Sequence, residues 1–429
     1  MLVLLAALTI PQAVRAQTSS LNTFSPYTMY GMGDLRMQGN AELRSMGGAG
    51  VAYRNHYVFN YLNPASLSSI PQNSAIFNFG AEGQNYYSKT AYSSTSKNNF
   101  NMHDLGLAIP LANRVGLGIS LTPVSAVGYE TYLFNNTQEI IENIGKSYYY
   151  YGGEGGVSQV TGSLGVEVVR GFSLGASIIY YFGSLDRHYN SSIQQMVSPN
   201  DYNEVKSFSK IQVSHLFYAV GGQYQIRVGR TNALNIGATF QPKGTINSKD
   251  YREQITGRAG MVDTIYIGKS PYPITIPAKI EAGLAYASEK FTAQIDYSYQ
   301  NWKNAFEIRP YENITLGAQQ QIRAGASYTP NRGNPMGNPL KRWTYRLGVR
   351  YGTSYLKYDN ETLSDVALSF GFTIPFRWDK VSRITIGAEL GQRGTTKGLQ
   401  VRDRYINIFA GLSLFGERED GWFYRRKFD

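Results

Sequence analysis

Hydrophobic and polar residues alternate along most of the chain from residue 73 onward. In VGLGISL (115–121), one face of an extended strand carries only glycine and serine, while the other carries Val115, Leu117, Ile119 and Leu121. The same period of two recurs in FTAQIDYSYQ (291–300), YRLGVRYG (345–352) and INIFAGLSL (406–414). Alternating segments of roughly 10 residues are typical of the strands of a transmembrane β-barrel.

The number and spacing of these segments predict the fold. There are about fourteen segments, at 73–90, 98–111, 114–134, 157–169, 172–190, 206–228, 231–250, 274–287, 290–302, 317–329, 343–357, 361–375, 382–393 and 402–414. Closed outer-membrane barrels have an even number of strands, and closure leaves no unpaired edge in lipid. Tight joints alternate with longer ones, which we assign as loops at 135–156, 191–205, 251–273 and 303–316. The sequence therefore predicts an all-β fold, a closed antiparallel transmembrane β-barrel of about 14 strands.

The polar faces of the segments carry acids and bases in near balance. The acids are Glu167, Glu281, Asp296, Asp365 and Glu389, and the bases are Arg227, Lys279, Arg323, Arg346 and Arg350. Facing lipid, each midplane Lys or Arg would cost about 2–4 kcal/mol. We therefore predict that the polar faces point into the lumen, where opposite charges can pair.

Composition agrees with an exported all-β protein. The 429 residues include 34 tyrosines and no cysteine, and the formal net charge is +11. Because Tyr and Trp prefer membrane interfaces, we expect Trp302, Trp343 and Trp378 to belong to aromatic girdles. We interpret the tyrosine-rich stretch SYYYYGGEGG (147–156) as a loop that caps the barrel mouth, with a sugar-stacking platform as the alternative.

The ends of the chain suggest export to the bacterial outer membrane. Residues 1–16, MLVLLAALTIPQAVRA, form a short apolar run ending in small residues, which predicts a secretory signal peptide. Beyond it, no run approaches the roughly 20 apolar residues of a membrane helix. We divide the remainder into an N-terminal domain (17–72), the barrel (73–415) and a periplasmic C-terminal tail (416–429).

Catalytic and cofactor-binding patterns are missing from the sequence. The four histidines, His56, His103, His188 and His215, lack the spacing of a zinc site and a clear serine partner. The basic residues are scattered, without a nucleic-acid-binding module. We therefore predict that the protein is not an enzyme and has no metal, cofactor or nucleic-acid partner.

The stretch RSMGGAGVAYRNHYVFNYLNPASLSS (44–69) fits neither a helix nor a strand. A nucleotide-binding loop would require a helix after GGAG, and Asn-Pro breaks it. Together with IPAKIEAGLAYASEKFTAQIDYSYQNWKNA (276–305), this stretch resembles the FadL/TodX family of outer-membrane transporters of hydrophobic compounds, in a divergent Bacteroidota-type form. The matching residues are Gly47, Gly48, Gly50, Asn63, Pro64 and Ala65, then Pro277, Ala278, Gly283, Tyr286, Asp296, Tyr299 and Trp302.

The resemblance implies that residues 17–72 form a hatch that plugs the lumen, built around the six matching residues of the first patch. It also implies passive transport of small hydrophobic molecules, fatty-acid-like or otherwise lipophilic, that leave sideways through an opening in the barrel wall. The alternative is a non-transporting barrel subunit that binds protein partners in an outer-membrane secretion or assembly complex. The expected partners are outer-membrane lipids, lipopolysaccharide and a small hydrophobic ligand.

Two features locate the ligand path that this function requires. Apolar residues on the otherwise polar face, near the outer mouth, predict a ligand pocket unless bulges turn them toward lipid; they are Phe100, Met102, Ile179, Tyr181, Val213 and Phe217. In segment 114–134, Pro123 cannot donate a ladder hydrogen bond, and Gly128 follows it. In the family that the chain resembles, a kink in the third strand forms the lateral opening. We therefore assign Pro123 and Gly128 to that opening, with a simple bulge as the alternative.

Overall fold

The computed structural model describes residues 23–72, 74–90, 93–135, 137–143, 145–194, 204–258, 261–306, 314–331, 338–358, 361–376, 381–397 and 400–417. The predicted signal peptide (1–16), Trp378 and residues 418–429 of the predicted tail lie outside the described residues.

The described part of the chain forms one sheet of eighteen strands. They are β1 Asp34–Leu35, β2 Ser74–Lys89, β3 Ser94–Ala112, β4 Val115–Phe134, β5 Lys146–Val169, β6 Phe172–Gln194, β7 Glu204–Val228, β8 Asn232–Gln241, β9 Gly244–Arg258, β10 Met261–Ile276, β11 Lys279–Ala287, β12 Phe291–Asn301, β13 Ile314–Leu316, β14 Ala318–Tyr328, β15 Thr344–Tyr358, β16 Glu361–Pro375, β17 Arg383–Arg393 and β18 Arg402–Glu417.

The sheet closes on itself as a barrel. Neighbouring strands pair antiparallel, and β18 pairs with β2 along the whole length of both strands, from Arg402 opposite Lys89 to Glu417 opposite Ser74. Three barrel strands are each interrupted once, at Pro242, Pro277 and Gly317, so that β8/β9, β10/β11 and β13/β14 are each one strand. Strand β1 belongs to the N-terminal segment and is not a wall strand. The wall is therefore a closed barrel of fourteen strands, and the predicted fold class is confirmed.

Helical structure is scarce in the described residues. Short 3₁₀ helices span Pro26–Met29, Pro64–Ser69 and Pro339–Arg342, and α-helices span Ala41–Arg44 and Gln138–Asn143. Asn40 and Asn63 cap two of them, because their side-chain oxygens accept from the backbone amides of Leu43 and Ala65. No helix in the described part of the chain has the length and apolar character needed to cross a membrane.

The wall is much taller on one side than on the other. Strands β5, β6 and β7 have 24, 23 and 25 residues, whereas about 9–11 tilted residues cross a bilayer. The assignment of 135–156 and 251–273 as loops is wrong, because β5 begins at Lys146 and β9 and β10 together occupy most of 244–276. The stretch 147–156 is therefore part of the wall. Its four consecutive tyrosines conceal the period of two on which the prediction relied.

The two faces of the wall differ as predicted. Ile119 and Leu347 are more than half exposed on the outer face. On the inner face, Arg323 contacts Glu281 at 2.6 Å, and Arg350 contacts Asp365 at 2.8 Å and Glu389 at 3.1 Å. Arg227, by contrast, is exposed near the end of β7.

Candidate functional site

The N-terminal segment, residues 23–72, lies inside the barrel. Its backbone contacts strands on opposite sides of the wall. A Cβ atom on Gly348 of β15 would lie 2.1 Å from the amide nitrogen of Gly47, and one on Gly116 of β4 would lie 2.2 Å from the carbonyl oxygen of Leu67. Glycines at these wall positions therefore allow the N-terminal segment to fill the lumen from side to side.

Buried ion pairs and hydrogen bonds hold this segment to the wall. Glu42, which is 4% exposed, accepts from Arg346 at 2.5 Å and from Arg383 at 2.6 Å. Arg44 pairs with Glu82 of β2. Burial alone would lower the pKa of the Arg44 guanidinium, but the Glu82 carboxylate beside it outweighs this effect and raises that pKa above its ordinary value. The Arg44 guanidinium thus stays charged although it is buried.

The six predicted hatch residues come together within this segment. Gly47 and Gly48 have left-handed backbones, with φ of 71° and 77°. The amides of Gly50 and Val51 donate to Asp296 of β12 at 2.6 and 2.8 Å. The Asn63 side chain donates to the carbonyl oxygen of Val51 at 2.9 Å, and the helix that begins with Pro64 and Ala65 is fully buried.

The wall has a seam between β3 and β4. Their pairing runs from Ala112 opposite Val115 to Leu105 opposite Leu121, and it ends there. Beyond this point β4 remains paired with β5 as far as Phe134, with one register shift between Pro123 and Ser125. The β3-facing edge of β4 above Leu121 therefore has no hydrogen bonds to its neighbouring wall strand.

The N-terminal segment occupies that edge. Strand β1 pairs with β4, Asp34 opposite Ala126 and Leu35 opposite Ser125. The amide of Arg36 donates to Val124 at 2.8 Å, and the Gln38 side chain donates to Pro123 at 2.8 Å. At the other end, the Ser25 amide donates to the carbonyl oxygen of Gly128 at 3.0 Å.

The two wall strands overlap at the seam. Lys97 of β3 lies opposite the buried Tyr86, so it faces inward, whereas Glu130 of β4 shares a face with the exposed Tyr132. The two charged groups nevertheless approach to 3.7 Å. Thr23 is fully buried in the overlap, where a Cβ on Gly128 would lie 1.9 Å from its carbonyl oxygen. Pro123 and Gly128 thus lie at a wall gap that is filled by backbone, and their role as a lateral opening stays a prediction.

The predicted pocket residues divide into two groups. Ile179, Tyr181, Val213 and Phe217 are buried in an apolar cluster inside the barrel. Phe100 and Met102 are 75% and 37% exposed, on the outer face opposite Gly83 and Ala81. Their predicted inward position is wrong. A bulge places the consecutive residues His103 and Asp104 both inside the barrel, so the residues that precede them in β3 lie on the opposite face from the one that regular alternation predicts.

Between the apolar cluster and the N-terminal segment lies an inner cavity of about 180 Å³. Its lining mixes apolar and polar side chains, and the polar ones include Thr161, Gln241, Glu281, Gln300, Gln321 and Arg323. Trp302 also lines it, so its predicted place in an aromatic girdle is wrong, and its indole N–H is buried without a partner among the described residues. A cavity of this size is too small for a drug-sized ligand.

Above the apolar cluster, an outer vestibule of about 640 Å³ opens at the tall side of the wall. Its lining includes Tyr30, Tyr129, Tyr151, Arg187, Tyr189 and Arg252. Tyr151 was not predicted to face the lumen, because the predicted segment began only at residue 157. Continuing the inward positions Thr161, Gln159 and Val157 by steps of two would have reached Tyr151. Among the described residues, no group of three or more His, Cys, Asp or Glu side chains could hold a metal ion.

The closed wall, the filled lumen and the β3–β4 seam define an outer-membrane type of barrel with an internal N-terminal segment. The chain belongs to the BamG family, whose model matches residues 1–429. Among curated proteins, none matches the sequence.

Solved barrels of the FadL/TodX type share the fold. A Pseudomonas aeruginosa FadL homologue is 13% identical with a TM-score of 0.61, and the similarity covers 90% of this chain and 99% of that one. The P. putida toluene transporter TodX is 17% identical with a TM-score of 0.60, over 89% and 99% of the two chains. The CymD monoaromatic hydrocarbon channel is 15% identical with a TM-score of 0.57, over 90% and 99%.

Proposed function

We propose that this protein is a sealed outer-membrane barrel that binds protein partners as a subunit of an outer-membrane assembly. The observation that carries the proposal is the seal. The N-terminal segment fills the lumen, its backbone occupies the wall gap from Pro123 to Gly128, and the inner cavity measures only about 180 Å³. Drug-sized ligands need pockets of roughly 300–1,000 Å³. In the described part of the chain, neither the lumen nor this wall gap is left open in this state.

The tall side of the wall supplies a surface for a partner. A row of rings crosses its outer face, with ring centroids 4.9 Å apart for Tyr132–Tyr150 and 6.2 Å apart for both Tyr150–His188 and His188–Phe208. Phe208 lies eight residues along β7 from the exposed Leu216, which is roughly 20 Å in height for a strand tilted by about 40°.

Charged residues separate this row from the apolar band. Lys210 and Asp186 face outward between them and pair at 3.4 Å. Because this ion pair lies between the aromatic rings and the apolar band, we place the rings beyond the lipid hydrocarbon. Exposed aromatic residues bordered by charged residues are typical of protein interfaces. Membership of the BamG family supports the proposal further, because that match spans the whole chain whereas the transporters share only the fold.

The proposal is tested by affinity purification of the tagged protein from native membranes. We expect a stoichiometric protein partner with the parent, and a loss of about 30-fold in affinity when Tyr132→Ser and Phe208→Ser remove two interface rings worth about 2 kcal/mol together. Tyr218→Ser is the matched control, because Tyr218 is as exposed as Tyr132, at 62%, but lies in the apolar band. If no partner is retained by the parent, or if the control loses it equally, the proposal is wrong.

A second candidate function is passive transport of small hydrophobic compounds. The FadL/TodX-type fold supports it, and so does the seam, where the wall is closed by the N-terminal segment instead of by β3. Displacement of residues 23–38 would expose a lateral exit, and apolar solutes gain free energy by entering lipid instead of water. Uptake of radiolabelled toluene by cells with and without the protein tests this candidate, and equal rates would rule it out for that compound.

A further inference from the structure

We infer that the outer vestibule is a saccharide-binding site. This inference goes beyond the proposed function and does not depend on it, because the vestibule lies inside the wall whereas the proposed partner surface lies on the outer face of the wall. At about 640 Å³ the vestibule lies within the size range of small-ligand pockets. The apolar cluster containing Val157 and Leu185 closes its base, since both residues are fully buried.

The inner face of β5 and β6 presents a ladder of tyrosine rings to the vestibule. Tyr151 lies directly opposite Tyr189, with ring centroids 4.8 Å apart, and Tyr149 stacks on Tyr189 at 6.4 Å. Tyr129 of β4 adds a ring to the floor. Aromatic faces bind the apolar C–H faces of sugar rings.

Charged groups opposite the rings are held in fixed positions. Asp250, which is 2% exposed, accepts from Arg252 Nε at 2.5 Å and from the Ser209 hydroxyl at 2.6 Å. The carboxylate thus orients the Arg252 guanidinium at the cavity wall. Arg187 donates through Nη2 to the carbonyl oxygen of Gly31 at 2.6 Å, and its Nε is buried without a partner among the described residues.

This combination distinguishes a saccharide from a hydrocarbon. A hydrocarbon in the vestibule would remove the Arg187 and Arg252 guanidinium groups from water without offering them hydrogen bonds, which is unfavourable for each group. Sugar hydroxyl groups both donate and accept, so they can satisfy guanidinium groups while the ring contacts tyrosine. The net charge of Arg187, Arg252 and Asp250 is +1, because two guanidinium groups face one carboxylate. This charge favours an acidic sugar.

The test measures binding of the core oligosaccharide, released by mild acid from the lipopolysaccharide of the source cells, to the purified full-length protein by titration calorimetry. Lauric acid serves as the hydrophobic probe. We expect the oligosaccharide to bind. Tyr151→Leu and Arg252→Gln should each weaken that binding about tenfold, the effect of losing roughly 1.4 kcal/mol.

The alternation of β5 provides the control. Tyr150 is adjacent to Tyr151 and its side chain lies on the outer face, where it stacks on His188, so Tyr150→Leu makes the same chemical change on the opposite face of the strand. If Tyr151→Leu does not fold, the difference in oligosaccharide affinity between the parent protein and Arg252→Gln still tests the inference. No binding of the oligosaccharide by the parent, equal losses for Tyr150→Leu and Tyr151→Leu, or tighter binding of lauric acid than of the oligosaccharide would each overturn the inference.

Discussion

Glu42→Gln should release the N-terminal segment from the lumen without unfolding the barrel. The Glu42 carboxylate is buried between Arg346 and Arg383, at 2.5 and 2.6 Å. Removing one partner of a buried ion pair costs about 3–5 kcal/mol, because the other charge remains buried and unpaired. Arg346 keeps a hydrogen bond to Thr373, so we take the lower value. At about 1.4 kcal/mol per factor of ten, the equilibrium for release should rise by roughly 150-fold.

Planar-bilayer recording measures this release directly, since each departure of the segment would open the lumen to ions. We expect rare openings for the parent protein and openings about two orders of magnitude more frequent for Glu42→Gln. Glu361→Gln is the matched control, because Glu361 is exposed at the start of β16. Equal opening frequencies for the two variants would refute the reasoning that this ion-pair network holds the segment in place.

Three further predictions concern the same closure. Deletion of residues 17–69 should leave a folded barrel with a large, constant conductance, because the wall strands begin only at Ser74; a truncated protein that remains closed would contradict the hatch assignment. Gly348→Leu should make the N-terminal segment accessible to trypsin, because its Cβ would lie 2.1 Å from Gly47, whereas Gly162→Leu, with no atom within 4 Å, should not; equal digestion would argue against this packing. If the protein transports hydrophobic compounds, Pro123→Val should lower toluene uptake at unchanged surface expression, and unchanged uptake would exclude an exit at Pro123.

Most of the wall could be predicted from sequence because a strand with one face in lipid must alternate. The segment 114–134 and strand β4 (Val115–Phe134) agree within a residue, and the strand count agrees as well. The alternation becomes uninformative where both faces meet water, as in the tall part of β5. Tyrosine suits either face there, so the period of two in 147–156 disappears.

The predicted pocket shows a second limit of the sequence. The residues Phe100 and Met102 were assigned inward by counting in steps of two through His103. A bulge at His103 and Asp104 inserts one extra residue, and every position beyond it changes face. The sequence does not mark this bulge, since it depends on which residues of β2 lie opposite.

By itself, the sequence determined that the chain forms a closed barrel, because the period of two is a local pattern. That residues 44–69 belong to a hatch was implied only by the resemblance to a known family. Only the tertiary structure decided that Ser25 reaches Gly128 and that Gln38 reaches Pro123. These contacts join residues that are far apart in the sequence, and local pattern carries no information about them. The same holds for the vestibule, whose tyrosines and arginines come from strands that meet only in the closed sheet. Period and composition act over a few residues, whereas a seam and a binding site depend on which distant strands become neighbours.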